Sequence, residues 1–353
     1  MDGGNKTLKE RREEEIREEE IKKLPTIRET ENSILQVVKG QDEQVRSIVT
    51  AAYRSIMLKG IKANVLVMGK TGTGKTEILK QLAQKLNRVY VVEDANEFTQ
   101  EGYYGRDVSS IILDLIEAAD FDFDIAEQGI VIIDEIDKKT GKQTTERDVS
   151  GSGVLNSMLK LIEGKKIKIP TIRGRDIDED EFSTENLMIF FAGAFSDMET
   201  VLQNVPRTQT IGFAQKQEDI KTLSKTGAIK ESLVKYGFPE EFVGRIDTIV
   251  QLNDLSEEVL EEIVKKSKNS IFRKYQNEFS KYGIKLQYNG KTLFKAIAKR
   301  AKKANTGARE LSNIVNYMFE KILYDVFSAK KGRYHVCILQ EGIEEDNTKY
   351  ILK

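Results

Sequence analysis

The run Asn64-Val65-Leu66-Val67-Met68-Gly69-Lys70-Thr71-Gly72-Thr73-Gly74-Lys75-Thr76 decides how the chain is read. A stretch of strand character leads without a break into a glycine-rich segment, and a helical pattern follows directly. Residues 69–76 fit the phosphate-loop pattern GxxxxGK(S/T), in the strand-to-helix setting that the pattern requires. Glycines let backbone N–H groups curl around phosphate oxygens, and the helix N-terminus adds positive partial charge at the same point. On this pattern Gly69, Lys70, Thr71, Gly72, Thr73 and Gly74 form the cradle, Lys75 reaches the β- and γ-phosphates, and the Thr76 hydroxyl ligates Mg²⁺. The alternative is a glycine-rich turn without a ligand, which the strand before and the helix after disfavour.

Outward from this run, residues 89–92, 130–133 and 187–192 read as further buried strands, with helical patterns between them. Strands alternating with helices predict an α/β fold, a parallel sheet with helices on both faces. The strand at 130–133 ends in Asp134-Glu135. A carboxylate at the carboxyl end of a strand neighbouring a phosphate loop faces the metal, so Asp134 is the Mg²⁺ partner and Glu135 the base that polarises attacking water. Binding and hydrolysis of ATP are the activity expected. Hydrolysis of this kind needs positive charge on the transferred phosphoryl group, often from a neighbouring subunit. Arg245 and Arg309 each follow a glycine-containing turn, although spacing alone favours an ordinary surface salt bridge for either.

On the N-terminal side, residues 7–23 alternate blocks of both charge signs, a solvated helix or a disordered arm. Residues 26–31, after Pro25, read as a linker. Residues 33–58 predict a short helix, a glycine turn capped by Asp42, and a longer helix. On the C-terminal side the chain turns strongly helical, over 255–275, 292–303 and 308–327, with β-type segments at 284–288 and 334–339. The expected division is an arm and linker over 1–32, a large domain over 33–250 and a small domain over 251–353.

Composition narrows the functional classes. The 353 residues carry 56 Lys+Arg against 57 Asp+Glu, a formal charge of -1, so no global attraction to nucleic acid or an anionic membrane is expected. A nucleic-acid motor would want a basic lining that this balance does not suggest. The single cysteine, Cys337, and single histidine, His335, exclude an internal disulfide framework and a cysteine-built zinc site. No apolar run approaches the ~20 residues of a membrane span, and the first residues hold no apolar signal core, so a cytoplasmic location is expected.

Several stretches together carry a family resemblance: GKTGTGKT at 69–76, EGYYGRDV at 101–108, GIVIIDEIDK at 129–138, RDVSGSGV at 147–154, LIEG at 161–164, IGF at 211–213, PEEFVGR at 239–245 and TGAR at 306–309. In this order and spacing, from about residue 33 onward, the chain resembles the ATPase body of the ClpX family, AAA+ protein unfoldases of the Clp protease system. The resemblance implies an AAA+ P-loop NTPase domain followed by a small, mostly helical lid domain. It implies a ring homo-hexamer in which Arg245 is the arginine finger acting in trans and Arg309 senses nucleotide in cis. Val38 and Lys39 would lie near the adenine, although aliphatic residues there could equally be core.

Gly102-Tyr103-Tyr104-Gly105 matches the family's pore loop, in which Tyr103 and Tyr104 would grip an unfolded or tagged protein through apolar contact. Residues 147–153 look like a second pore loop. Ile211, Gly212 and Phe213, within a polar, loop-like stretch at 204–225, resemble the tripeptide that docks on a ClpP-like peptidase. The chain also departs from the family. The four-cysteine zinc domain is missing, so adaptor binding and zinc-dependent dimerisation are not implied; Tyr104 replaces a valine; and residues 165–180 hold no clear basic pore-entry loop. Residues 191–195 lack a polar sensor Asn, as in the ClpX and HslU branch, but the long inserted domain of HslU is absent. A stand-alone remodelling ATPase without a peptidase is the alternative reading.

Overall fold

The computed structural model describes residues 21–58, 60–99, 106–140, 149–169, 181–196, 217–304, 306–330, 332–344 and 347–353. In chain order the first elements are α1 (Ile27–Leu35), α2 (Asp42–Met57), β1 (Asn64–Met68), α3 (Lys75–Lys85), β2 (Tyr90–Asp94), α4 (Ser110–Ala118), α5 (Phe123–Glu127) and β3 (Ile130–Asp134). Then come α6 (Val149–Ile162), β4 (Lys166–Lys168), β5 (Glu181–Ser183), β6 (Met188–Gly193), α7 (Gln217–Tyr236), α8 (Glu240–Gly244) and β7 (Thr248–Gln251). The remainder is α9 (Glu257–Lys266), α10 (Ile271–Lys281), β8 (Lys285–Gln287), α11 (Gly290–Ala304), α12 (Ala308–Ser328), β9 (Val336–Glu344) and β10 (Asn347–Leu352).

The main sheet has the order β2-β3-β6-β1-β7, and every pairing in it is parallel. Its inner strands β1, β3 and β6 read as nearly unbroken apolar runs because both faces are covered there. Val65 and Val67 of β1 point into one core with α1, α2 and α3, while Leu66 and Met68 point into another with α4, α6 and α8. Burying each such aliphatic side chain stabilises the fold by ~1.5–3 kcal/mol. The α/β expectation, with helices on both faces, therefore holds. A third core gathers Leu255 through Leu339, with Phe272 edge-on to Phe294 and Tyr275 stacked on Phe319.

Some expectations need correction. Residues 26–31 are not a linker: Thr26 caps α1 through a capping box with Glu29, and Thr30, Glu31 and Ile34 are buried. Asp42 does not cap α2 but is its first helical residue. The preceding Gln41 is committed to a two-way clamp, donating to the Asn253 carbonyl at 2.8 Å and accepting from the Asn253 N–H at 2.9 Å. The helix over 255–275 is broken into α9 and α10, because the intervening Ser267 donates to the Val37 carbonyl and the Lys268 N–H to the Gln36 carbonyl. The fifth strand, β7, and the hairpin of β9 with β10 were not anticipated. Helix α7 occupies the end of the stretch read as loop-like at 204–225, and α6 already begins within the segment read as a second pore loop.

Candidate nucleotide site

The phosphate-loop residues sit where strand β1 hands over to helix α3. Gly74 precedes α3 with φ 103° and Gly72 has φ 79°, conformations open to glycine and strained for other residues. The loop closes on itself: Thr73 Oγ1 donates to the Lys70 carbonyl at 2.7 Å, and Lys75 Nζ donates to the Gly69 carbonyl at 2.6 Å. Burial holds Lys75 below its ordinary pKa, with nearby Asp134 and Asp137 opposing that shift. A phosphate arriving at the loop would compensate the buried ammonium directly.

Strand β3, which is not the immediate neighbour of β1 that the sequence suggests but lies beyond β6, brings its acids to the same place. Thr76 Oγ1 donates to Asp134 Oδ2 at 2.6 Å, so a hydroxyl and a carboxylate already share one point. Glu135 has φ 58°, a left-handed backbone uncommon outside glycine. Its N–H donates to Asp134 Oδ1 at 2.9 Å, and its Oε2 accepts from Asn96 Nδ2 at 2.7 Å. Asp137 is buried and fixes the end of β6, accepting from the Ala194 N–H at 3.2 Å and the Phe195 N–H at 3.1 Å.

The third-core residues close the other side. The Ala308 N–H, at the start of α12, donates to the Gly72 carbonyl at 3.0 Å. A Cβ on Gly72 would come within 2.3 Å of the Thr306 carbonyl, and one on Gly307 within 2.8 Å of the Thr71 and Gly72 carbonyls. Two glycines thus permit a backbone-to-backbone approach that any side chain would block. Asn269 Nδ2 also reaches Glu77 Oε1 of α3 at 3.1 Å. Between these parts lies a cavity of about 500 Å³, within the size range of small-molecule pockets.

Val38, Lys39, residues 71–76, Asp134, Glu135 and Arg309 line this cavity together. Val38 is also buried in the core beside α3, so its two readings coexist in one position. Gly69 and Lys70 are not on the cavity wall. The Gly69 N–H donates to the Gly193 carbonyl at 3.2 Å, and Lys70 Nζ turns to Asp254 Oδ2 at 2.5 Å. Arg245 stands apart from the cavity, 2.7 Å from Glu163 Oε1 through Nη2. Tyr103, Tyr104, Ile211, Gly212 and Phe213 lie outside the described residues. Sequence reasoning missed Asn96 and Asp137. Asn96 follows β2 in a short turn with no motif of its own, whereas Asp137 could have been suspected as the third acid of Asp134-Glu135-Ile136-Asp137.

The donor set suits Mg²⁺. A hard cation of that size takes one or two protein oxygens and fills its remaining positions with water and phosphate. Thr76 Oγ1 and Asp134 Oδ2 supply two such oxygens. Among the described residues no group of three or more His, Cys, Asp or Glu could hold a metal ion, and no helix is long and apolar enough to cross a membrane.

Known proteins agree with this geometry. Residues 61–249 match the family "AAA domain (Cdc48 subfamily)", and residues 255–336 match "C-terminal, D2-small domain, of ClpB protein". The chain is 34% identical to the "ATP-dependent Clp protease ATP-binding subunit ClpX" of Treponema denticola, over 94% of this chain and 84% of that protein. A phosphate loop, a carboxylate-ended strand of the same sheet and a lid closing over both are thus joined by sequence identity along almost the whole length: the chain belongs to the ClpX family of AAA+ ATPases.

Proposed function

We propose that this ATPase is a protein unfoldase that works as a ring of six copies, threads polypeptide through a central pore and delivers it to a ClpP-like peptidase. The observation that carries the reading is the cavity shared by the phosphate loop, the Asp134-Glu135 strand end and Arg309 of the lid. A site built from both domains changes shape with its occupant, and such closure can be turned into mechanical displacement.

Within that site residues 71–74 cradle the phosphates through their N–H groups, and Lys75 exchanges its carbonyl partners for phosphate oxygens. Thr76 and Asp134 would hold Mg²⁺, which supplies charge neutralisation on the phosphates when bound. Glu135 accepts the proton of the attacking water, and Asn96 restrains its carboxylate until then. Val38 and Lys39 face the base, and Arg309 reports occupancy to α12. Arg245, which does not line its own cavity, serves the site of the next copy. Tyr103 and Tyr104 grip the client, and Ile211, Gly212 and Phe213 dock the peptidase.

Degradation of a tagged, stably folded reporter tests this, run with ATP and with or without a ClpP-type peptidase. Loss of the reporter only when both are present is expected. Glu135→Gln should keep ATP bound while turnover falls by a factor of at least ~10², the scale of a general base. Tyr103→Ala should leave hydrolysis largely intact and stall unfolding. Unfolding that proceeds equally with or without peptidase, and no binding between the two, would instead indicate a stand-alone remodelling ATPase.

A further inference from the structure

Arg245 immediately follows helix α8, and its side chain is 46% exposed. In the same chain its Nη2 lies 2.7 Å from Glu163 Oε1, whereas the Glu163 side chain is only 17% exposed. The other Glu163 oxygen meets Lys165 Nζ. Hydrogen bonding from Lys165, assisted by the Arg245 charge, lowers the Glu163 pKa and keeps that carboxylate ionised. Two cations around one anion leave the trio with a net positive charge. Among the described residues the guanidinium makes no second ion pair, so only one edge of it is engaged.

The pair is mounted on one rigid support. Asn64 Nδ2, at the start of β1, donates to the Arg245 carbonyl at 3.2 Å and to the Ile162 carbonyl at 3.4 Å. Lys62 Nζ donates to the Leu161 carbonyl at 2.9 Å. The backbone on both sides of the ion pair is therefore tied to the start of β1, an inner strand of the sheet, and the residue two places before it. An unrestrained arginine has many rotamers to give up when it meets a phosphoryl group. One held in place beforehand avoids that cost when charge develops.

We propose that Glu163 is a positioning residue for Arg245. It holds one edge of the guanidinium so that the remaining N–H groups face the nucleotide of a second copy of this chain. The inference rests on the reading of Arg245 as a residue acting in trans. It also connects helix α6, which ends at Ile162, to that arginine, so movement of α6 would re-aim it.

Steady-state ATP hydrolysis by the full chain tests the proposal with Arg245→Ala, Glu163→Ala and Glu163→Gln, alongside the thermal midpoint of each. Arg245→Ala should lose turnover by ~10³-fold, the scale of an arginine finger. Glu163→Ala should lower kcat about tenfold at unchanged KM for ATP, the pattern of an interaction needed only in the transition state. Glu163→Gln, which keeps an acceptor oxygen, should recover part of that loss. The double variant should be no worse than Arg245→Ala. In rings mixed with Glu135→Gln copies, whose arginines are intact, turnover per Glu163→Ala copy should rise, an effect that a damaged fold would not show. Wild-type kcat in Glu163→Ala, or a drop that tracks a lowered thermal midpoint and is not relieved by mixing, overturns the positioning role. Undiminished turnover in Arg245→Ala removes the trans reading as well, which separates the two failures.

Discussion

Gly307→Ala probes the joint between lid and phosphate loop from the side that touches no phosphate. Gly307 has φ 65° and ψ -146°, a region open essentially to glycine alone, and an alanine there carries ~1–3 kcal/mol of backbone strain. Its Cβ would also lie 2.8 Å from the Thr71 and Gly72 carbonyls, closer than real Cβ contacts come, so α12 must move outward. That movement stretches the bond from the Ala308 N–H to the Gly72 carbonyl, a contact of about 1 kcal/mol, and displaces Arg309 two residues on. If Arg309 contributes a charge-assisted hydrogen bond of ~1.5–3 kcal/mol to bound nucleotide, ATP should bind about ten- to a hundredfold more weakly. Isothermal titration with a slowly hydrolysed ATP analogue measures this. Gly332→Ala is the control: that glycine also has a positive φ, of 86°, but its Cβ would meet nothing within 4 Å. It should show backbone strain in unfolding and wild-type nucleotide affinity. Unchanged affinity in Gly307→Ala, or an equal loss in Gly332→Ala, would refute the claim that backbone contact at Gly72 couples the lid to the nucleotide.

Asn96→Ala removes the donor that occupies Glu135 Oε2, so basal ATP hydrolysis should rise several-fold, in line with a hydrogen bond of about 1 kcal/mol; a fall in rate would mean that Asn96 aims the base instead of restraining it. Lys62 gives a pH signature. Burial takes its pKa from 10.5 to about 8, so between those values the unfolded chain holds the proton more tightly and the Lys62 contribution to stability rises with pH. Relative to Lys62→Met, the wild type should gain about 2 kcal/mol from pH 7.5 to 9.5 in urea unfolding. A gap that does not change with pH would show that the ammonium is not penalised by burial.

How much was legible follows from where the information sits. The strand-loop-helix around Gly69 to Thr76 was readable because a local pattern states both its chemistry and its secondary structure. The carboxylates of Asp134 and Glu135 were readable because they end an apolar strand. By contrast, Thr26 to Glu31 looked like linker because a capping box is a pair of hydrogen bonds, which composition does not reveal. The break between α9 and α10 was hidden because helical periodicity runs through it, and it exists only because the 36–37 backbone competes for Ser267 and Lys268. Lys70 counts as a loop residue in the motif, yet Asp254, far along the chain, draws its side chain away from the cavity.

What sequence alone determined was the class of ligand, the α/β order of elements and the residues whose chemistry meets phosphate, because each depends on neighbours a few positions apart. Only the tertiary structure decided that Arg309 lines one cavity with the phosphate loop while Arg245 pairs with Glu163 apart from it, that Asn96 holds Glu135, and that two glycines from separate domains touch backbone to backbone. Those facts depend on side chains and carbonyls brought together across tens to hundreds of residues, and no periodicity or spacing along a chain encodes which distant groups will share a hydrogen bond.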